Sequence, residues 1–309
     1  MPVVNFLTCD NARRMNQNQR YEVRMDFPGY ECRMAFQING MKPVWASPGS
    51  STPQNRPTTN LFSSSKRKII MQAHRIRNLF AAIARYYDFL NSLLSLRRDR
   101  RWRRETVKAS NVEPTSKVLD VCTGTGELAL AYSDKISAEG FVIGSDFCFE
   151  MLVIGDQKLQ QPVGAVSNRT TSFLAADTLT LPFLDNTFDV VSVGFGIRNV
   201  SDLELGIREM TRVAAPGGRV VILEFTQPVN PLFRGLYYFY FTKILPFIGN
   251  RISGSEDDAY GYLPRSVMKF PDCDALKAVM EECGLTDVRY YRKTFGIVAI
   301  HVGEKPKSI

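Results

Sequence analysis

The residues best suited to chemistry fall in four places. The first is Val118-Leu-Asp-Val-Cys-Thr-Gly124-Thr-Gly126-Glu-Leu-Ala129. There an apolar run breaks into a Thr/Gly turn and resumes at helical spacing through Leu128, Leu130, Ala131 and Tyr132. A strand, a glycine turn and a helix start make a cradle for a nucleotide-bearing ligand. Glycine admits close approach to the backbone, and the free N–H groups of the helix start favour electron-rich groups. Gly124 to Ala129 also fits the dinucleotide pattern GxGxxG/A, so the loop alone leaves the ligand open. The second and third places are Asp146 and Asp177-Thr178, each following an apolar run. A carboxylate after the second strand can accept two hydrogen bonds from a ribose diol, or cap the helix that follows it. Asp177 can accept from an adenine amino group or open a turn. The fourth is Gly194-Phe-Gly-Ile-Arg198-Asn199.

Other chemistries have little material. The chain holds two histidines, His74 and His301, which leaves little for a histidine-centred metal site or a Ser/His/Asp triad. Six cysteines are scattered with no CxxC pair. That fits a reducing compartment and gives no metal-ligand spacing, so no metal is expected.

Strands and helices must bring these residues together. Apolar runs at 118–121, 141–145, 171–176, 188–193 and 219–225 predict strands, and Leu203 to Val213 predicts an amphipathic helix. Pro216-Gly-Gly218 predicts a tight turn into the fifth strand. Strands alternating with helices at this pace predict an α/β fold, a doubly wound, mostly parallel sheet covered on both faces. Ligands then bind beyond the carboxyl ends of the strands, where Gly124, Gly126, Asp146, Asp177 and residues 194–199 would gather. Residues 274–283 predict a helix with Gly284 past its end. Residues 288–292 and 296–302 predict a closing antiparallel hairpin, which a plain dinucleotide-binding domain lacks.

The remaining stretches are organised by charge and aromaticity. The chain has 309 residues, 44% of them hydrophobic, enough for a packed core. No apolar run reaches the ~18 residues of a membrane-spanning helix. The net charge of +8 is uneven: +3 over residues 1–65, +10 over 66–108 and −5 over 109–309. Residues 1–65 lack sustained periodicity and end in a Ser/Thr/Pro-rich stretch. They are expected to be a disordered tail, an organelle transit peptide (Asp10, Glu22, Asp26 and Glu31 count against it), or sequence upstream of a true start at Met41 or Met71. Residues 66–309 then form the functional domain. It opens with a basic helical collar over 66–115, broken near Asn91-Ser92. Within it Arg97, Arg98, Arg100, Arg101, Arg103 and Arg104 surround Trp102. This is either a solvated helix face or a membrane-surface or nucleic-acid contact with the tryptophan as an interfacial anchor. Residues 229–263 form an insert in which Leu232 to Ile248 carries seven aromatics in 17 residues. It is either a buried helix capping the sheet or a hydrophobic lid over a greasy substrate, with Tyr237 presenting an apolar body and a polar tip.

Several narrower motifs occur in order along the same chain. They are Phe80-Ala-Ala-Ile-Ala-Arg-Tyr-Tyr87-Asp88-Phe-Leu-Asn91, Val118 to Ala129, Phe195-Gly-Ile-Arg198-Asn199-Val200, Pro216 to Phe225, Tyr262-Leu-Pro-Arg-Ser266 and Gly296-Ile-Val-Ala-Ile-His301. Together they resemble class I S-adenosylmethionine-dependent methyltransferases, and more narrowly the UbiE/MenG family of quinone-biosynthesis C-methyltransferases. The likeness runs from about Arg77 to Lys305. It implies a seven-stranded Rossmann-like sheet with an antiparallel C-terminal hairpin, and S-adenosylmethionine as cofactor. It implies Thr125 at the cofactor's methionine end, Asp146 on its ribose, Asp177 and Thr178 at its adenine, and Gly124, Gly126 and Gly194 as further contacts. Gly194 stands where some relatives carry Ser, Glu127 where many carry Asp, and Arg97 where relatives often have Gly. Tyr87, Tyr237, Tyr260 and Tyr262 are assigned to the substrate side and the lid.

The chemistry implied is attack of an electron-rich quinol ring carbon on a sulfonium methyl, with the reacting atoms about 3–3.5 Å apart and in line. Arg198 is assigned to stabilise a phenolate or orient a water, because arginine stays protonated. Asn199 is assigned as a positioning hydrogen-bonder. The alternative for Arg198 is an ion pair with Asp202 or Glu204. The substrate implied is a polyprenylated naphthoquinol, demethylmenaquinol first. The alternatives are 2-polyprenyl-6-methoxybenzoquinol, or demethylphylloquinol in a plastid. A cytoplasmic protein peripheral at the inner face of the membrane is implied, or an organelle protein if residues 1–65 are a transit peptide. A homodimer stays open, and no nucleic-acid partner is expected. An RNA methyltransferase, an NAD(P)-dependent reductase and a non-catalytic scaffold are the competing readings.

Overall fold

The computed structural model describes residues 76–85, 87–89, 91–92, 95–160, 171–244 and 259–307, together with the backbone of 20–27, 30–39 and 42–43. The chain divides into two units, residues 1–61 and 62–309. The first contains β1 (Arg20–Phe27), β2 (Tyr30–Asn39) and β3 (Lys42–Pro43), paired antiparallel in sequence order with Phe27 opposite Tyr30. The sequence reading assigned no element there. Met41, Met71, His74 and the C-terminal part of the aromatic insert lie outside the described residues.

The second unit is the α/β body. A first helix, α1, covers residues 76–85. It is followed by α2 (Arg98–Ser110), β4 (Lys117–Val121), α3 (Glu127–Ser133), β5 (Phe141–Asp146), α4 (Phe149–Gln160), β6 (Thr171–Ala175) and β7 (Phe188–Gly194). Then come α5 (Leu203–Val213), β8 (Ala214–Phe225), α6 (Pro231–Phe239), α7 (Ala259–Lys269), α8 (Cys273–Glu282), β9 (Thr286–Lys293) and β10 (Val298–Glu304). The seven strands lie in the order β6-β5-β4-β7-β8-β10-β9. The pairs from β6 to β8 are parallel, and β10 runs antiparallel to both β8 and β9. The expected doubly wound sheet with a reversed terminal hairpin is therefore present.

The central strands are largely apolar because both of their faces are covered, whereas the edge strand β9 is mostly polar and exposed. Val118, Val142, Val190 and Val221 join Trp102, Leu128, Tyr132 and Leu152 in one cluster, on the face carrying α2, α3 and α4. The alternate residues Leu119, Ile143, Val191 and Ile222 are buried too and point to the other face, where α5 and α8 pack against β7 to β10. Pro216 to Gly218 does not end a turn before the strand. It lies within β8, where the register jumps from Phe188↔Ala214 to Val190↔Arg219 and Gly217 takes φ +77. The turn chemistry is expressed as a bulge, with glycine supplying the positive φ.

Two expectations about the collar change. Asn91 and Ser92 are helical, and the chain turns at 95–97 instead. Trp102 is not an interfacial anchor: it is 4% exposed, packs between Phe195 and Phe225, and donates its indole N–H to Thr294 Oγ1 at 2.9 Å. Arg103 is buried with it, 2.6 Å from Asp99. Helical spacing explains this, since positions 99, 102, 103, 106 and 110 share one side of α2. A tryptophan among arginines in sequence is not among them in space.

Candidate active site

The carboxyl ends of β4, β5, β6 and β7 bring together the loop 122–126, Asp146, Asp177-Thr178 and the turn 195–199. β4 ends at Val121 and the chain turns sharply, with Cys122 at φ 49, Gly124 at φ 57 and Gly126 at φ 81. The turn is fixed from three directions. Asp120, fully buried at the strand end, accepts from Thr123 Oγ1 at 2.6 Å and Ser192 Oγ at 2.9 Å. Asp146 accepts from Gly124 N–H at 2.8 Å and, through its other oxygen, from Cys148 N–H at 2.8 Å. Lys158 of α4 donates to Thr125 O at 3.0 Å and lies 2.6 Å from both Glu127 and Asp88. Burial pushes the Asp146 carboxyl up to about 6, against the N–H bonds it accepts. The same cause pushes Asp120 up to about 7.

A cavity of about 90 Å³ opens above this loop. Gly124, Asp146, Asp177, Thr178 and Asn199 line it, with Met151 and Leu179 as apolar walls. Thr125, Gly126 and Gly194 do not line it. Thr125 is 1% exposed and its hydroxyl donates to Asp88. Gly126 and Gly194 are glycines because of neighbours in the protein. A Cβ on Gly126 would lie 2.3 Å from the Phe173 ring, and one on Gly194 would lie 3.0 Å from Leu128. Thr178 Oγ1 contacts Cys122 Sγ at 3.3 Å, and Asp177 is exposed, capping Leu179 N–H at 2.9 Å.

A second, larger cavity of about 530 Å³ adjoins it. Both are lined by Phe80, Tyr87 and Phe195, so those rings form the partition between them. The larger cavity is walled by α1, α2 and α6 through residues such as Leu79, Ile83, Trp102, Phe233 and Tyr237, with Phe225 at its floor. Its polar corner holds Arg198. The guanidinium does not pair with Asp202, which caps α5 through Leu205 N–H, or with Glu204, which faces Arg208. It pairs with Glu224 at the end of β8, 2.7 Å away, and donates to the Phe195 carbonyl. Its Nε is buried with no hydrogen-bond partner among the described residues. Burial pushes the Glu224 carboxyl up and Arg198 opposes this.

Tyr262 of α7 donates to Asn199 Oδ1 at 3.0 Å, joining the two cavities through a hydrogen bond. Burial raises the phenol pKa of Tyr87, Tyr237 and Tyr262, so all three keep their protons near neutrality. Tyr260 lies in α7, and its side chain is outside the described residues. Three charged residues escaped the sequence reading: Glu224, Lys158 and Asp88. Glu224 had a signal. It is an acid in the run Val220-Val-Ile-Leu-Glu224-Phe225, and a carboxylate in a buried strand calls for hydrogen-bond donors or a cation to satisfy it.

A carboxylate beneath the second strand, a backbone turn at the first and a polar-apolar pair of cavities at the strand ends suit a nucleoside beside an apolar co-substrate. The fold is similar to that of solved methyltransferases. A SAM-dependent methyltransferase from Thermotoga maritima matches with a TM-score of 0.51 at 16% identity, over 73% of this chain and 99% of that one. The fold is that of the class I methyltransferases. The model of the ubiE/COQ5 methyltransferase family matches residues 68–305, and the chain belongs to that family. A demethylmenaquinone methyltransferase of Thermus thermophilus is 45% identical, covering 74% of this chain and 100% of the relative. A ubiquinone/menaquinone biosynthesis C-methyltransferase UbiE of Geobacter sulfurreducens is 43% identical, covering 80% and 96%. The protein is a methyltransferase, and its methyl donor is S-adenosylmethionine.

Proposed function

We propose that the protein methylates a ring carbon of a polyprenylated quinol, demethylmenaquinol in the first place. Methylation of 2-polyprenyl-6-methoxybenzoquinol is the second reading, since relatives of comparable identity are named for both quinones. The observation that carries the proposal is the adjacency of the two cavities across Phe80, Tyr87 and Phe195. The small one supplies carboxylate and backbone partners at Asp146 and Gly124. The large one supplies apolar walls for a lipid-like co-substrate.

The donor set fits S-adenosylmethionine. The Asp146 carboxylate, largely ionised near neutrality, suits a ribose diol, and Asp177 with Thr178 suits an adenine edge. Bound there, the cofactor supplies an electrophilic methyl group. The chain's own residues orient and polarise the acceptor. Arg198 is held by Glu224 at the wall of the larger cavity. In this reading its guanidinium charge stabilises the quinol bound as its phenolate, the hydroxyl proton having passed to solvent before the ring is enclosed, and the ring-carbon proton restores the hydroxyl through solvent after the methyl is transferred. Asn199 and Tyr262, tied to each other, fix the ring's approach. The Phe195 and Tyr87 rings exclude water from the transfer. Peripheral contact with a membrane follows from a polyprenylated substrate. Among the described residues no helix is long and apolar enough to cross a membrane.

The test offers both quinols in one reaction with limiting S-adenosylmethionine and quantifies the two methylated products. Excess methylated naphthoquinol supports the first reading, and excess benzoquinol product the second. Methylation of neither overturns the proposal.

A further inference from the structure

Leu96 and Phe295 are 79% and 78% exposed, and each sits in the left-handed region, at φ 53 and φ 57. Bulky apolar residues rarely adopt that conformation, and holding them there costs about 1–3 kcal/mol each. Packing repays little of it: Leu96 borders the larger cavity and Phe295 meets only the Phe233 ring, and both side chains stay mostly in solvent. Their immediate neighbours Arg97 and Thr294 are left-handed as well, at φ 60 and φ 47. Two strained turns thus present an apolar tip each.

The two tips belong to one rim. Leu96, Arg98 and Thr294 line the larger cavity, so it reaches the surface between these turns. The Trp102 indole ties α2 to Thr294 at 2.9 Å. From the other side, α6 brings Phe233 onto the Phe295 ring, with centroids 5.2 Å apart. The next residues on α6 add to the rim: Leu232 is 86% exposed, and Phe239, itself a cavity-lining residue, is exposed too.

The rim is predominantly basic, its one partly exposed acid on α2, Glu105, pairing with Arg101 at 2.8 Å and Lys293 at 3.0 Å. The exposed positions of α2 are Arg98, Arg100, Arg101, Arg104 and Lys108, preceded by exposed Arg97. Asp99, the acid of the first turn, is buried against Arg103. Cations at a helix N-terminus oppose the macrodipole, so the isolated protein keeps these arginines at an electrostatic cost that an anionic surface would remove.

We propose that this rim docks on an anionic phospholipid bilayer. Phe295, Leu96 and Leu232 enter the acyl boundary, the α2 arginines meet headgroups, and the larger cavity opens directly onto the membrane. The substrate's polyprenyl tail then enters without crossing water. This rests on the reading of the larger cavity as the quinol site.

The experiment is flotation of the full chain with phosphatidylcholine vesicles, with and without phosphatidylglycerol. Methyl transfer is then measured with the quinol embedded in those vesicles and with a short-chain quinol in solution. Wild-type protein is expected to float with the anionic vesicles only. Phe295→Gly combined with Leu232→Ser is expected to weaken binding roughly tenfold or more, from the lost apolar burial. Arg97→Gln with Arg100→Gln should weaken it by about fivefold per arginine. Both variants should keep turnover on the soluble quinol and lose it on the embedded one. Phe295→Gly relieves a left-handed phenylalanine, so its thermal midpoint should not fall, which separates lost docking from lost folding. Wild-type activity on the soluble quinol with no vesicle binding, or binding unchanged in both variants, overturns the docking proposal and leaves the quinol reading intact. Vesicle binding that both variants lose, with no methylation of any quinol, supports docking and overturns that reading instead. Salt-dependent binding to RNA, with no vesicle binding, assigns the arginines to nucleic acid and overturns the membrane proposal.

Discussion

Arg198 and Glu224 lie 2.7 Å apart with side chains 5% and 2% exposed, at the ends of neighbouring segments of the sheet. Glu224 also accepts from the backbone N–H of Arg198 and of Phe225. Its oxygens are therefore committed, and it holds the arginine rather than acting as a base. Glu224→Gln leaves a buried cation without its counter-charge. It should cost about 3–5 kcal/mol of stability and, by releasing the guanidinium, about 10²-fold in turnover. S-adenosylmethionine affinity should change little, because the pair borders the larger cavity. Arg198→Lys keeps the charge but not the planar fork and should fail to restore turnover. Steady-state rates beside titration calorimetry with the cofactor check both variants; normal turnover in Glu224→Gln would show that Arg198 needs no such anchor.

Asp146 should impose a pH dependence on cofactor binding. Its carboxyl titrates at about 6, raised by burial. The ionised form is the acceptor for a ribose diol, so affinity should be flat above about pH 7 and fall about tenfold per unit below 6. Asp146→Asn should bind weakly at every pH with no such slope. Folding stability runs the other way. Asp146 and Asp120 have folded values of about 6 and about 7, above the usual carboxylate range. The native state therefore binds their protons more tightly than the unfolded chain. These groups favour the fold at acid pH, and that contribution is lost as pH rises through 6 and 7. Calorimetric affinities and denaturant midpoints measured across pH 5 to 8 test both signs.

Trp102 offers a stability test of the collar. It fills the space between Phe195 and Phe225 and is 4% exposed. Trp102→Ala should cost about 3–5 kcal/mol. Thr294→Val, which orphans the buried indole N–H, should cost about 1–3 kcal/mol. Urea denaturation measures both. An unfolding midpoint unmoved by Trp102→Ala would return the tryptophan to the surface.

These contrasts show what could be read from the chain. The sheet was legible because the parallel strands are short, mostly apolar runs, as at Val118 to Val121 and Phe141 to Ser145. The strand-end positions were legible where a residue's type is set by local backbone, as with Gly124 at φ 57, or where a carboxylate follows a strand, as with Asp146, and both border the smaller cavity. Contacts were not legible where long-range pairing decides. The ion pair that stood as the alternative for Arg198 was sought in the nearby Asp202 and Glu204, yet the acid it meets is Glu224 in β8. Thr125 was matched with a ligand, yet its hydroxyl is taken by Asp88 from the N-terminal segment. Glycine motifs also mix two causes: Gly124 adjoins the cavity, whereas Gly126 gives way to Phe173.

That last distinction is testable. Gly126→Ala combines a Cβ 2.3 Å from Phe173 Cζ with a backbone at φ 81. It should destabilise the fold by about 2 kcal/mol or more, overpacking and left-handed strain adding together. Phe173→Leu in the same chain should recover the packing part alone. Gly194→Ser meets only the flexible end of Leu128 at 3.0 Å and should cost about 1 kcal/mol or less. Thermal midpoints of the three proteins rank the effects; equal losses at both glycines would contradict the assignment.

Methyl transfer to a quinol ring beside Arg198 is the step on which the proposed function stands. The most direct measurement incubates the purified protein with methyl-labelled S-adenosylmethionine and reduced demethylmenaquinone, then locates the label by mass spectrometry. Label is expected on a ring carbon of the quinol, formed in step with S-adenosylhomocysteine and suppressed in Arg198→Ala at unchanged cofactor affinity. No label in any quinol, or full labelling by Arg198→Ala, would contradict it.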